Sequence, residues 1–451
     1  MTRRSRATLD PGMHKHLLEV QERLAVGTLP QWVLTDPTVY ELEVERIFAR
    51  SWYFLGHESE LLNPGDYVTR WYVNDPILLT RTKEGELKAF LNSCMHRGTL
   101  LCAADSGNRK GFTCPYHGWT YGLDGQLIGV VADDKVYGAE MDRDQWALRP
   151  LPRLETFHGL IFASIDPDVP PLADYLGGLG WYLDILVGRT DKKMEVRGAP
   201  LRWVVDANWK IGSENFGGDA YHVAMTHRST VELGLSPKDP LFTSYGHQVV
   251  LDGGHSISVI TKSPKLGPTP PYQGQPEHMW PNFERNLSPQ QLDVWRDTAV
   301  FHGTCFPNLS FLSPMHGAGG HGHLTNFLTM RQWRPVGPDK VEVWSWFLID
   351  KEAPEEFKEE SYNRYVGTFG PGGTLEQDDV EIWTRITDTS RGLMARDKNL
   401  NYDNVMNYVM GLDRVEPDPE WPGPGTAYPT TFLEAAQRSF YETWNSLLTV
   451  D

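Results

Sequence analysis

Cys94-Met95-His96 is followed, 17 residues later, by Cys114-Pro115-Tyr116-His117, and this arrangement restricts the fold more than any other feature of the chain. Each stretch supplies one thiol and one imidazole. Each also sits at a turn, with Asn92-Ser93 before the first and Pro115 and Gly118 inside the second. A zinc site ordinarily pairs Cys with Cys at one knuckle and His with His on a helix; here neither stretch has a helical pattern and each mixes the two ligand types. A [2Fe–2S] centre with two thiolates on one iron and two imidazoles on the other needs this mixture, and two opposed β loops can deliver it from opposite sides. A zinc ribbon, or unrelated core residues, is the competing reading.

The surrounding sequence is β-rich. Tyr67–Val73 and Ile77–Thr82 read as strands, and Glu84-Gly85-Glu86 and Leu123-Asp124-Gly125-Gln126 as hairpin turns. Leu160–Ile165 ends the all-β stretch and Asp166–Pro171 is a linker. The pattern places a small β domain at 51–170, inserted into a larger domain formed by residues 1–50 and 171–451. Residues 1–50 form two helical pieces, the second opened by Asp36-Pro37 as cap and first turn. In the larger domain Phe327–Trp333 and Val341–Ile349 read as strands. Helices are expected over Pro289–Thr298, Pro354–Thr368, about Thr374–Asp388 and from about Thr431 to the end. The whole is α+β, a sheet with flanking helices.

Composition narrows the function. With 40% apolar and 12% aromatic residues the chain is a folded globular protein. Its formal charge of −17 repels phosphates and anionic lipid, which argues against nucleic-acid and membrane-surface roles. Four cysteines in 451 residues make no disulfide framework. Cys102 has no ligand spacing and reads as a buried small hydrophobe. Arg3-Arg4 is not followed by an apolar export segment, so a reduced, cytoplasmic location is expected.

A second cluster lies in Ser213-Glu214-Asn215-Phe216-Gly217-Gly218-Asp219-Ala220-Tyr221-His222-Val223-Ala224-Met225-Thr226-His227. On a continuous helix Asp219 and His222 share a face, but His222 and His227 point about 140° apart. They converge on one metal only if the helix breaks or ends near Thr226. Two His plus a remote carboxylate would make a facial triad with open positions for oxygen and substrate. Taken alone, structural histidines are the more ordinary reading.

Cys94-Met95-His96-Arg97-Gly98 with Cys114-Pro115-Tyr116-His117-Gly118-Trp119 resembles the Rieske domain of ring-hydroxylating oxygenases, and Asn215–His222 resembles the mononuclear-iron segment of the α subunits of aromatic-ring dioxygenases. Phe369-Gly370-Pro371-Gly372-Gly373-Thr374-Leu375-Glu376-Gln377-Asp378-Asp379 resembles the closing motif of that family. The motifs occur in the family's order and span most of the chain. The resemblance implies an all-β Rieske [2Fe–2S] domain inserted in a catalytic domain with an antiparallel sheet flanked by helices. It implies cluster ligands Cys94, His96, Cys114 and His117, and mononuclear Fe(II) ligands His222, His227 and Asp379. Asp378 is then a solvated or capping neighbour.

By the same resemblance Asp219 bridges cluster to iron. His117, or else His96, of one protomer would hydrogen-bond to Asp219 of the next, which also bonds His222, because the two metals within one subunit are too far apart. Asp219 and Asn215 become catalytic residues. Phe216, Ala220, Val223, Asn308, Phe369 and Leu375 are expected near the substrate cavity, with core packing the alternative for the apolar ones. Leu375 stands where relatives often carry a large aromatic, which makes a roomier pocket.

The implied activity is addition of both atoms of O₂ to an aromatic hydrocarbon, mono- or polycyclic, as a cis-dihydrodiol. Electrons would come from a ferredoxin and an NAD(P)H-dependent reductase, and a small β subunit would complete an α3β3 assembly. Dihydroxylation of an aromatic carboxylate and a Rieske monooxygenase or demethylase are the alternatives. A Rieske electron carrier without catalysis fails on length and on the three extra ligands. Gly317-Ala318-Gly319-Gly320-His321-Gly322 fits the dinucleotide fingerprint by letter, but a strand-like run follows it. His302, His316, His321 and His323 read as surface-loop histidines, and Arg385 and Arg391 as surface or interface arginines that could otherwise meet a substrate carboxylate.

Overall fold

The structure is a computed structural model describing residues 9–137, 141–234, 236–239, 241–261, 263, 270–317, 324–398 and 404–450. The chain divides into two compact units, Ala49–Leu172 and a larger one made of Met1–Phe48 with Ala173–Asp451.

The smaller unit is built from three antiparallel sheets. Leu87–Leu91, Asp75–Arg81, Asp66–Tyr72 and Ser106–Asn108 form the first, in that order. Phe112–Thr113, Thr120–Tyr121 and Leu127–Gly129 form the second, and Arg153–Phe157, Leu160–Ser164 and Tyr53–His57 the third. Tyr67, Leu78, Phe90, Trp119 and Tyr121 are buried together with Cys94, Cys102 and Cys114. Cys102 is packed as a small hydrophobe, and Asn92 locks its backbone by accepting its N–H at 2.9 Å and donating to its carbonyl at 2.7 Å.

The larger unit is organised on a ten-stranded antiparallel sheet. Its middle runs Lys340–Asp350, Leu328–Gly337, Leu309–Gly317, Thr298–Cys305, Ser256–Thr261 and Gly246–Val250. Leu324–Asn326 pairs back onto Leu309–Gly317, so a hairpin, not a strand-to-helix turn, flanks the glycine-rich segment. The segment's own residues 318–322, and His323, lie outside the described residues.

Asp36 opens the helix Pro37–Arg46 as expected, its Oδ1 accepting the N–H groups of Thr38 at 2.8 Å and Val39 at 3.1 Å. Three helices converge on a buried charge. Glu43 accepts from the indole N–H of Trp209 at 2.8 Å and of Trp444 at 2.7 Å, and pairs with Lys210. This ties the C-terminal helix Ala435–Thr449 and the helix Trp209–Gly218 to the N-terminal segment. The helix Trp209–Gly218 lies flat on the sheet because its small residues allow it: a Cβ on Gly212 would meet the Trp333 ring at 2.6 Å. No helix of the described residues is long and apolar enough to cross a membrane.

Candidate active site

The two cysteine loops fold alike. Cys94 N–H donates to the Thr99 carbonyl at 2.8 Å and Gly98 N–H to the Cys94 carbonyl at 2.8 Å; Cys114 and Trp119, and Gly118 and Cys114, repeat this at 2.7 and 3.1 Å. Gly98 and Gly118 both take positive φ, +72° and +76°, a turn that glycine enters without a Cβ penalty. The two thiols are buried and free of disulfides. His96 and His117 face each other edge-on with ring centroids 4.6 Å apart, and His96 stacks on Trp119. The Tyr121 hydroxyl lies 3.5 Å from Cys94 Sγ and accepts the Met95 N–H at 3.1 Å. Nδ1 of His96 is buried without a hydrogen bond, which a buried nitrogen avoids unless it ligates something else. Two thiols and two imidazoles on paired turns fit a [2Fe–2S] cluster.

The second site forms where a helix is interrupted. Trp209–Gly218 ends before Asp219, whose ψ of 79° is not helical, so Asp219 and His222 are not on one continuous helix as the spacing first suggests. A single turn, Val223–Thr226, follows, with His222 and His227 as its two caps. The break that convergence requires therefore falls on both sides of this turn. Asp219 Oδ1 accepts the His222 N–H at 3.1 Å, and Oδ2 lies 3.3 Å from His222 Nδ1.

Asp379 arrives from the helix Glu376–Ser390. The chain doubles back tightly before that helix: a Cβ on Gly373 would stand 2.2 Å from the Thr368 carbonyl oxygen, so only glycine fits there. Asp379 Oδ1 lies 3.4 Å from Nε2 of His222 and 3.4 Å from Nε2 of His227. One atom from each of the three residues falls within 4.8 Å of the others. Ligand atoms 2.0–2.2 Å from one ion, at 90–110° to each other, stand about 3–3.5 Å apart, so this donor set fits a facial triad on a mononuclear metal. Asp378 is not a solvated bystander: its Oδ2 lies 3.4 Å from His227 Nδ1 and accepts from Ser229 at 3.2 Å. Burial pulls the His227 imidazole below its ordinary pKa, although both aspartates oppose it. Burial also opposes charge on Asp219, yet its contact with His222 holds the carboxyl below the usual range.

The triad borders a cavity of about 270 Å³. Asn215, Phe216, Val223, Phe369 and Leu375 line it, as does Asp219. Ala220 and Asn308 do not. Ala220 is buried with its carbonyl accepting from Thr243 at 2.9 Å, and Asn308 is spent on the Trp333 carbonyl at 3.1 Å, as packing that anchors neighbouring strands. The opposite wall comes from strands, with Ile260, Val300, His302, Leu312 and Pro314. His302 was expected on a surface loop; it lies instead within the strand Thr298–Cys305, 7% exposed. Its Nδ1 lies 2.8 Å from the Phe216 carbonyl, and burial pushes its pKa down to about 4. Strand alternation offered the missing signal, since Val300 and His302, and Leu312 and Pro314, are each two residues apart and so share a face.

Behind Phe216 and Phe369 lies a buried ion pair. Arg331 Nη1 is 2.6 Å from Glu376 Oε2, and Nη2 donates to the Phe369 carbonyl at 2.6 Å. None of the described residues lining the cavity is Arg or Lys. Arg385 is paired with Glu381, and Arg391 with Asp339 and Asp388. The described wall thus offers no guanidinium or ammonium to pair with a substrate carboxylate, and burying one unpaired is unfavourable.

Comparison with known proteins agrees with both sites. Residues 51–142 match the Rieske [2Fe–2S] domain and residues 172–449 the ring hydroxylating alpha subunit, catalytic domain. The chain is 36% identical to the biphenyl 2,3-dioxygenase α subunit of Rhodococcus jostii (strain RHA1), over 95% of this chain and 90% of that one. It is 34% identical to the N,N-dimethyl phenylurea N-demethylase α subunit of Sphingobium sp. (strain YBL2), over 96% and 94%. A crystal structure of naphthalene 1,2-dioxygenase from Rhodococcus sp. bound to indole superposes with a TM-score of 0.94 at 46% identity, covering 98% of this chain and 99% of that one. The cofactors are accordingly a Rieske [2Fe–2S] cluster and a mononuclear iron. Paired cysteine–histidine loops, a two-histidine, one-carboxylate triad and the match over 172–449 together make this chain a member of the ring-hydroxylating α-subunit family of multicomponent oxygenases.

Proposed function

We propose that the chain is the terminal oxygenase α subunit that adds both atoms of O₂ to a neutral aromatic hydrocarbon of one or two rings, giving a cis-dihydrodiol. The observation that carries this is the mostly apolar cavity bordered by His222, His227 and Asp379, with no Arg or Lys among the described residues that line it. Its 270 Å³ is just below the ~300–1,000 Å³ typical of small-molecule sites, a volume suited to a compact ring. The relatives named for biphenyl and naphthalene support the same substrate class.

In balance, arene, O₂, two electrons and two protons give the diol. Bound at the two sites, the cluster supplies electrons singly and the iron activates O₂. Cys94, His96, Cys114 and His117 would hold the former, and His222, His227 and Asp379 the latter. Phe216, Val223 and Phe369 exclude water and hold the ring against that face of the cavity. Asn215, with Nδ2 3.4 Å from His222 Nδ1, and Asp219 fix the imidazole from behind. The Asp219 side chain keeps about a third of its surface exposed (33%), and its free edge suits a hydrogen bond from His117 of an adjacent protomer. We place the chain in a cytoplasmic α3β3 assembly served by a ferredoxin and an NAD(P)H-dependent reductase.

Aerobic turnover with a chemical reductant and a panel of arenes and aryl acids, read by mass spectrometry, tests this. A cis-diol from a neutral arene is expected, and products from carboxylated rings alone would overturn it. The N-demethylase relative favours a second reading, oxidative N-demethylation of an aryl urea; release of formaldehyde without ring diols would establish that reading instead.

A further inference from the structure

His302 contributes a polar atom to a mostly apolar wall, and the proposed reaction gives it no role. Its Nδ1 faces the Phe216 carbonyl oxygen at 2.8 Å. A carbonyl only accepts, so Nδ1 carries the ring proton and Nε2 is left as a bare acceptor. Among the described residues Nε2 has no hydrogen-bond partner, and it is not fully buried; on a side chain that lines the cavity, it opens to that space.

Four other polar side chains of the wall already have partners. Thr243 Oγ1 donates to the Ala220 carbonyl, Ser236 Oγ pairs with Thr230 at 2.8 Å, Ser263 Oγ with Asp239 at 3.3 Å, and Asn215 Nδ2 lies against His222. A ring that fills the cavity and carries no donor strips water from Nε2 and leaves it unpaired, which is unfavourable for any buried acceptor. A ring of the same outline with one N–H or O–H relieves this.

We propose that His302 determines specificity by offering Nε2 as an acceptor that favours aromatic compounds bearing one N–H or O–H donor, N–H heteroarenes of the indole type foremost, over donorless rings of equal shape. This rests on the proposed function only in taking the cavity as the substrate site.

The test is anaerobic equilibrium binding of indole and of benzothiophene, which has sulfur where indole has N–H, to the metal-loaded oxygenase. Wild type should bind indole about tenfold more tightly, the factor a neutral hydrogen bond provides. His302→Phe should abolish the preference, and His302→Gln, which returns an acceptor oxygen, should restore part of it. Equal binding of the two rings by wild type overturns the assignment without recourse to a variant. A preference that survives in His302→Phe overturns it too, by placing the acceptor elsewhere. Failure of either ring to bind removes the cavity as substrate site and both readings with it, whereas equal binding removes only the role of His302.

Discussion

Oδ2 of Asp378 lies 3.4 Å from Nδ1 of His227, while its neighbour Asp379 approaches Nε2 of the same ring, also at 3.4 Å. Two consecutive aspartates on one helix thus serve the two nitrogens of one imidazole. On the proposed assignment Asp379 is the third ligand and Asp378 orients the ring, so the two substitutions should differ in kind. Asp379→Ala should lose mononuclear iron. Asp378→Ala should keep the site but weaken it about 10–100-fold, the usual effect of removing a partner of a ligating histidine. Iron retained against a graded chelator distinguishes them, and equal retention by Asp378→Ala and wild type would refute this role for Asp378.

Asp219→Asn should leave both metals in place, since Asp219 supplies no ligand atom, yet slow turnover severely. The amide keeps an oxygen for the His222 N–H but loses the charge that faces Nδ1. Iron and sulfide analysis should give about three irons and about two acid-labile sulfides per chain, as in wild type. Unchanged product formation would show the bridge assignment to be wrong.

Arg331 and Glu376 are both fully buried, and Arg331 also packs over the Phe216 and Phe369 rings, 5.0 and 5.2 Å from their centroids. Removing one partner strands the other charge. Arg331→Met should therefore destabilise the fold by about 3–5 kcal/mol, whereas Arg331→Met combined with Glu376→Leu should recover much of that. Urea denaturation measures both; a double variant no more stable than the single one would count against the argument.

Burial is the main cause that raises the Glu214 pKa to about 8; the Tyr408 hydroxyl, donating at 3.1 Å, opposes the rise and the Asp219 charge reinforces it. The unfolded carboxyl titrates near 4.5. Between these values the folded chain keeps a proton that the unfolded chain has released, so this group makes stability fall as pH rises from about 4.5 to 8, by at most ~1.4 kcal/mol per pH unit. Glu214→Gln, whose carbonyl still accepts from Tyr408, should flatten that slope. Melting temperatures of the two proteins between pH 5.5 and 8 should diverge, with the variant gaining at the alkaline end; parallel curves would contradict the shift.

The parts legible in the amino-acid order are those whose partners are close in it. Cys94, His96, Cys114 and His117 occupy two short turns, and Asp219, His222 and His227 lie within nine residues. The mixed Cys and His loops point to a cluster by residue type and spacing, whereas His222 and His227 taken alone read as structural histidines, and it is the family resemblance of Asn215–His222 that marks them as ligands. The alternating strands and the Asp36-Pro37 helix start are equally local.

The cavity wall is another matter. Ile260, His302 and Leu312 meet because three strands pair side by side, Val259 opposite Phe301 and His302 opposite Leu312, and hydrogen-bond register between distant strands leaves no local trace in the chain. Ala220 and Asn308 lie beside the right motifs yet turn into packing, because side-chain direction depends on backbone geometry that neighbouring letters do not specify. Asp378 acquired a purpose only when a helix more than 140 residues downstream of His227 brought it to that ring. Local order thus determined which atoms could ligate metal, while the tertiary fold decided what surrounds them, since convergence over long sequence separations is set by packing rather than by composition.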